Sequence, residues 1–156
     1  MSVIAVGEPI PDFRLPATGG VELGPADFAG QKRVVYFYPK DNTPGCTQEG
    51  QDFRDRYAVF VDSDCVVLGI SRDGVKAHEN FRAKHDFPFP LLSDKDETVC
   101  QRFEVMKEKM MYGKPARGIE RSTFLVDREG ILRQLWRGVK VPGHVDTVLE
   151  AVRQLP

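Results

Sequence analysis

No stretch of this 156-residue chain approaches the roughly 18 consecutive apolar residues of a membrane-spanning helix. Its opening residues, Met1 to Glu8, carry no basic segment ahead of a long apolar one. A membrane anchor and a secretory leader are therefore not expected. No run of lysine and arginine reaches five residues, and the formal net charge is −1. Phosphate neutralisation needs a basic surface, so nucleic acid is not an expected partner. Cysteine is scarce and odd in number: Cys46, Cys65 and Cys100 cannot form a disulfide framework and suit a reducing, cytoplasmic setting. His78, His85 and His144 are scattered without metal-ligand spacing, so a metal centre is not expected either. Repeats and low-complexity linkers are absent, and the length fits one domain spanning 1–156 with a core of its own.

What is present is an alternation of strand and helix patterns. The apolar run Arg33 to Tyr38 reads as a strand that stops at Pro39. Thr43 can cap the helix that follows, Pro44 suits its first position, and the pattern runs to about Phe60. Cys65 to Ser71 reads as a buried strand, Val75 to His85 as a helix, Phe89 to Leu92 as a short strand and Asp96 to Phe103 as a helix. Ser122 to Val126 and Ile131 to Trp136 are strands joined by the turn Asp127-Arg128-Glu129-Gly130. His144 to Leu155 closes the chain with Val145, Val148, Leu149 and Val152 at helical spacing. Pro9, Pro11 and Pro16 keep the opening segment extended, with Phe13 and Leu15 on one side of an edge strand. Glu104 to Glu120 has no clean period and reads as a loop over the site. The layout predicts an α/β protein of thioredoxin-like architecture, a mixed central sheet flanked by helices.

Cys46 falls in the first turn of the helix that opens at Thr43-Pro44. Gly50, Phe53, Tyr57 and Phe60 lie on its face, so the thiol shares the stripe that packs on the sheet. Burial opposes a thiolate, whereas the helix start favours one through partial positive charge and free N–H groups. Helix-end effects give about 0.3–1 kcal/mol, or about 2 when partly buried, and a mostly ionised thiol at neutral pH needs more than about 3. A second cation is required. Glu49 stands where a dithiol oxidoreductase has its second cysteine, and Gly50 where a copper chaperone of the thioredoxin superfamily has one. A lone thiolate with the Thr43 hydroxyl three residues before it suits attack on a small electrophile such as a peroxide. Cys65 reads as core. Trp136 and the phenylalanines read as core or pocket wall, and Met106, Met110 and Met111 as gap fillers that could alternatively face a substrate or partner. Lys40 and Asp41 read as solvated loop residues.

The pattern Pro39-x-x-x-Thr43-x-x-Cys46 is the signature of the peroxiredoxins, and Tyr38 to Glu49 resembles their Q-type, or bacterioferritin comigratory protein, branch. The likeness extends to Phe13-Arg14-Leu15-Pro16, Val67 to Ser71, Phe89 to Asp94 and Arg121 to Asp127. It implies that Cys46 is the peroxidatic cysteine, Thr43 the peroxide-orienting hydroxyl, Pro39 a shield, Arg121 the missing cation and Glu49 a carboxylate in the arginine network. It also implies a hydroperoxide substrate, a thiol reductant such as thioredoxin, glutaredoxin or glutathione, a monomer or weak dimer, and no metal, flavin or haem. Many members of the branch carry a resolving cysteine five residues after the peroxidatic one, where this chain has Gln51. The expectation is a one-cysteine cycle completed by an external thiol, with a disulfide to Cys100 as second choice. A peroxide sensor passing oxidation to a protein partner, or a non-catalytic thioredoxin-like binding module, are the alternatives.

Overall fold

Strand β3 (Lys32–Phe37) is buried along its whole length, and its alternating side chains divide the interior in two. Val34 and Tyr36 point to one face of the sheet, and Val35 and Phe37 to the other. Even Lys32 and Arg33 are tolerated there because their charged heads end on carbonyl oxygens. Lys32 Nζ donates to Val152 and Leu155, and the Arg33 guanidinium to Pro25, Asp127 and Arg128.

The computed structural model describes residues 4–156 and leaves the side chain of Met111 aside; Met1 to Val3, where the reading for a leader begins, lie outside the described residues. Around β3 runs a seven-stranded mixed sheet in the order β2-β1-β5-β4-β3-β8-β9. β1 is Leu15–Ala17, β2 Val21–Leu23, β4 Cys65–Ser71, β5 Leu91–Ser93, β8 Ser122–Val126 and β9 Leu132–Arg137. β3, β4 and β5 are parallel, as their helical crossovers require, while β8 runs antiparallel beside β3 and continues into β9. One face is covered by α1 (Pro44–Asp55), α2 (Tyr57–Asp62), α5 (His144–Gln154) and, through Phe81, by α3 (Val75–His85). The other is covered by the amino-terminal segment, including Phe13, and by α4 (Thr98–Arg102) with Phe103. Phe53 of α1 is fully buried and stacks on Tyr36 at 4.6 Å between ring centroids. Burying one such ring contributes about 1.5–3 kcal/mol, which fixes α1 firmly on the sheet.

Three departures from the sequence reading have physical causes. The predicted helix from Thr43 to Phe60 is two helices, because Arg56 leaves helical backbone and its side chain bonds the Asp52 carbonyl and Asp146 of α5. β1 is not the edge strand, because β2 pairs outside it. Glu104 to Glu120 is not a loop. Most of it is an antiparallel hairpin, β6 (Met106–Met111) with β7 (Lys114–Ile119), turning at Tyr112-Gly113, both with positive φ. Among the described residues the hairpin pairs only with itself and exposes most of its side chains, so no buried face imposes an alternation. Its roots, Val105 and Ile119, sit in the cluster on the face opposite Cys46. Met106 packs there as a gap filler, whereas Met110 is exposed.

Candidate active site

The loop between β3 and α1 holds Pro39 and Thr43 and leads directly into the helix turn that carries Cys46. Tyr38 is the last buried residue of the run, Pro39 is half-buried, and Lys40 to Thr43 form a tight turn in which Asn42 takes a left-handed φ of 63°. Asn tolerates that conformation better than most residues, since its short amide can bond locally. Thr43 occupies the N-cap position with extended backbone, but its hydroxyl does not cap the helix as the sequence suggested. It donates instead to the Lys40 carbonyl at 2.7 Å. Two consequences follow. The N–H groups of the first helical turn stay open to an anion, and the lone pairs of Thr43 Oγ1 stay open to a donor such as a peroxide O–H.

Cys46 is the third residue of α1 and only 2% exposed. Arg121 immediately precedes β8, and because Ser122 pairs with Phe37 it emerges beside the carboxyl end of β3. Its Nη2 lies 3.4 Å from Cys46 Sγ, and its Nη1 donates to Glu49 Oε1 at 2.8 Å. One guanidinium therefore spans thiol and carboxylate, one helical turn apart on α1. Burial disfavours the Arg121 charge, but Glu49 and Cys46 outweigh it and hold the group above its ordinary value. Glu49 is fully buried, and burial pushes its carboxyl up to about 7 despite Arg121. A Cβ on Gly45 would come within 3.0 Å of Arg121 Nη2, so a glycine here leaves the arginine its space. The same position lies 4.0 Å from Val141 Cγ2, which places the segment before α5 against the start of α1.

Behind this lies a polar cluster that the sequence reading missed. Asp41, read as a solvated loop residue, is buried. Tyr38 Oη donates to Asp41 Oδ1 at 2.6 Å, His78 Nδ1 lies 2.7 Å from Asp41 Oδ2, and His78 Nε2 lies 2.9 Å from the Leu92 carbonyl. The Asp41 backbone N–H donates to Asp73 Oδ2 at 3.0 Å, an oxygen that also accepts from the Ser71 hydroxyl. Asp41, Asp73 and His78 bring ligand-type atoms within 4.8 Å of one another, a grouping compatible with a metal ion. Every one of those atoms already has a hydrogen-bond partner, and His78 is fully buried, so the cluster is complete as it stands. Asp41 and His78 are separated by 37 positions, and no local spacing could have linked them.

The other two cysteines do not join Cys46. Cys65 pairs with Lys32 at the amino ends of β4 and β3, whereas Cys46 sits beyond the carboxyl end. Burial pushes the Cys65 thiol up to about 12. Cys100 belongs to the cluster on the opposite face of the sheet, and its thiol is pushed up by burial and by the neighbouring Asp94. His144, whose Nε2 is 2.8 Å from Thr123 Oγ1, is held down to about 4 by burial and by Arg121, and Trp136 packs edge-on against it. Trp136 is thus partly buried wall, in keeping with its sequence reading.

A thioredoxin-type sheet that presents a single helix-start cysteine to an arginine held by a buried carboxylate defines a thiol peroxidase. Residues 6–135 match the AhpC/TSA family, described by that name. The chain is 51% identical over 146 residues to a putative peroxiredoxin bcp of Coxiella burnetii, covering 94% of this chain and 97% of that protein. It superposes on Xanthomonas campestris Peroxiredoxin Q with a TM-score of 0.89 at 50% identity, over 95% of this chain and 96% of that one. It superposes equally well, at 49% identity over 96% and 98% of the two chains, on a structure of the Xanthomonas campestris bacterioferritin comigratory protein concerned with its alkyl peroxide reduction. The chain belongs to the AhpC/TSA family and is a peroxiredoxin of the Bcp, or PrxQ, type. Among the described residues no helix is long and apolar enough to cross a membrane.

Proposed function

We propose that Cys46 is the peroxidatic nucleophile and that alkyl hydroperoxides and hydrogen peroxide are its substrates. The observation that carries this reading is the Arg121 Nη2–Cys46 Sγ contact at 3.4 Å, with the same guanidinium tied to Glu49. The thiolate attacks the terminal oxygen of the hydroperoxide, forming an S–O bond as the O–O bond breaks. Sulfur loses two electrons and becomes a sulfenic acid, and the departing alkoxide or hydroxide takes a proton to leave as alcohol or water. Thr43 Oγ1 accepts from the peroxide O–H, the open N–H groups of the helix start face the oxygens, Arg121 meets the developing charge, and Pro39 shields the site from water. An alkyl substrate is supported by the Xanthomonas campestris relative, whose structure concerns alkyl peroxide reduction, and by Val141 beside the helix start.

For the second half of the cycle we infer that an external thiol, from thioredoxin, glutaredoxin or glutathione in the cytoplasm, condenses with the sulfenic acid. Water leaves and a mixed disulfide forms, which a second thiol reduces. The support is the separation of Cys46 and Cys100 into clusters on opposite faces of the sheet, when a disulfide needs Cα atoms within about 7 Å. Stopped-flow peroxide consumption by Cys46→Ser tests the first step. The reaction should be lost, and a variant reacting as fast as the parent would overturn the assignment.

A further inference from the structure

Asp41 stands at the centre of the loop that carries Pro39 and Thr43, and its bonds reach three separate parts of the fold. Its carboxylate meets Tyr38 at the end of β3 and His78 on α3, and its backbone N–H meets Asp73 in the loop after β4. Asp73 is itself held by Ser71 Oγ at 2.6 Å, and its carbonyl accepts from Ser93 Oγ at 2.6 Å. A solvent-facing turn before a helix does not require such an anchorage. Burying a carboxylate and an imidazole together is costly unless each finds partners, and here both are fully engaged. The ring faces a carbonyl at Nε2 and a carboxylate at Nδ1, so both contacts need a hydrogen.

Resting on the reading of Cys46 as peroxidatic nucleophile, we propose that Asp41 and His78 are positioning residues for the peroxide step: they latch the Pro39–Thr43 loop so that the Thr43 hydroxyl is held against the Lys40 carbonyl with its lone pairs facing the thiol. Neither touches the substrate. Their effect is carried through the turn between Asp41 and Thr43, where only Asn42 intervenes. Releasing the latch lets Thr43 drift and slows attack on peroxide. Capture of an already formed sulfenic acid by a thiol does not use that geometry and is not slowed with it.

The two half-reactions separate the latch from a merely structural role. In Asp41→Ala, the second-order rate with cumene hydroperoxide should fall about 10- to 100-fold, the scale of loss that an ångström-sized misplacement causes. The rate at which 1-thio-2-nitrobenzoate captures the sulfenic acid should stay at or above the parent value. Asp41→Asn keeps an oxygen for Tyr38 and offers an N–H to Nδ1 of a neutral His78, so it should recover the peroxide rate to within about threefold. If Asp41→Ala does not fold, Tyr38→Phe removes one bond to Asp41 and should slow the peroxide step about 3- to 10-fold while sparing capture. Parent-like peroxide rates in these variants, an Asn variant as slow as the Ala variant, or equal losses in both half-reactions would overturn the proposal. Cys46→Ser, run alongside, distinguishes the two readings. If it consumes peroxide like the parent the nucleophile is misassigned, whereas an inert Cys46→Ser beside a parent-like Asp41→Ala refutes the latch alone.

Discussion

Two buried cysteines lie on the same face of the central sheet, at opposite ends of its strands, and the contrast between their surroundings is what supports the proposal that Cys46 is the nucleophile. Cys65, at the amino end, has Lys32 and Arg33 nearby, and both lower its thiol. Their charges are nevertheless occupied, because their hydrogen bonds end on carbonyl oxygens, and the Cys65 sulfur bonds only weakly, to the Val66 carbonyl at 3.5 Å. Burial wins, and the thiol rises to about 12. Cys46, at the carboxyl end, is just as buried, but it lies in the first turn of a helix and Arg121 aims one nitrogen at its sulfur. A cation in the neighbourhood is not enough. It must be directed at the sulfur by a partner that holds its other arm, and Glu49 is that partner.

Removing the cation directed at Cys46 should have the largest effect. Arg121→Leu should lower the second-order rate with peroxide by about 10²- to 10³-fold, the loss typical when one preorganised donor is taken from an active site. Arg121→Lys should recover only part of this, since a single ammonium cannot span Cys46 and Glu49 as the planar fork does. Stopped-flow rates decide it, and an Arg121→Leu variant at the parent rate would refute the argument.

A smaller effect comes from the arm that holds the arginine. Burial keeps the Glu49 carboxyl near 7 in the folded protein, above the unfolded value of about 4.3, so folding favours its protonated form. Its contribution to stability is then complete below about pH 4 and is lost as pH rises towards 7, with a slope on the order of 1.4 kcal/mol per pH unit. Glu49→Gln should flatten that slope in urea denaturation between pH 5 and 7. An unchanged slope would show that Glu49 is not the group responsible. The smallest effect is expected at the other end of the sheet, where Cys65→Ala should cost about 1 kcal/mol of stability for its lost sulfur and leave the peroxide rate untouched.

Much of this was legible in the sequence. β4, α3 and β8 have the bounds read from their residues, because buried strands leave continuous apolar runs and α3 a helical pattern bounded by its own terminators. Arg121 meets Cys46 and Glu49 because the pairing of Phe37 with Ser122 sets it beside the end of β3, and Thr43 begins the helix that carries both partners. The rest depended on tertiary geometry. The hairpin of β6 and β7 has no sheet to impose a period, and nothing in Val99-Cys100 says which face of the sheet α4 will cover. The engagement of Thr43 with Lys40, and of Asp41 with His78, depends on how a turn closes rather than on residue type.

The most direct test of the contrast between the cysteines is a single turnover. The reduced protein is treated with one equivalent of hydroperoxide, trapped with a sulfenic-acid reagent and mapped by peptide mass spectrometry. One sulfenic acid on Cys46, with Cys65 and Cys100 still thiols, is the expected result. Label on Cys65, or loss of two hydrogens in a peptide pair joining Cys46 to Cys100, would contradict it.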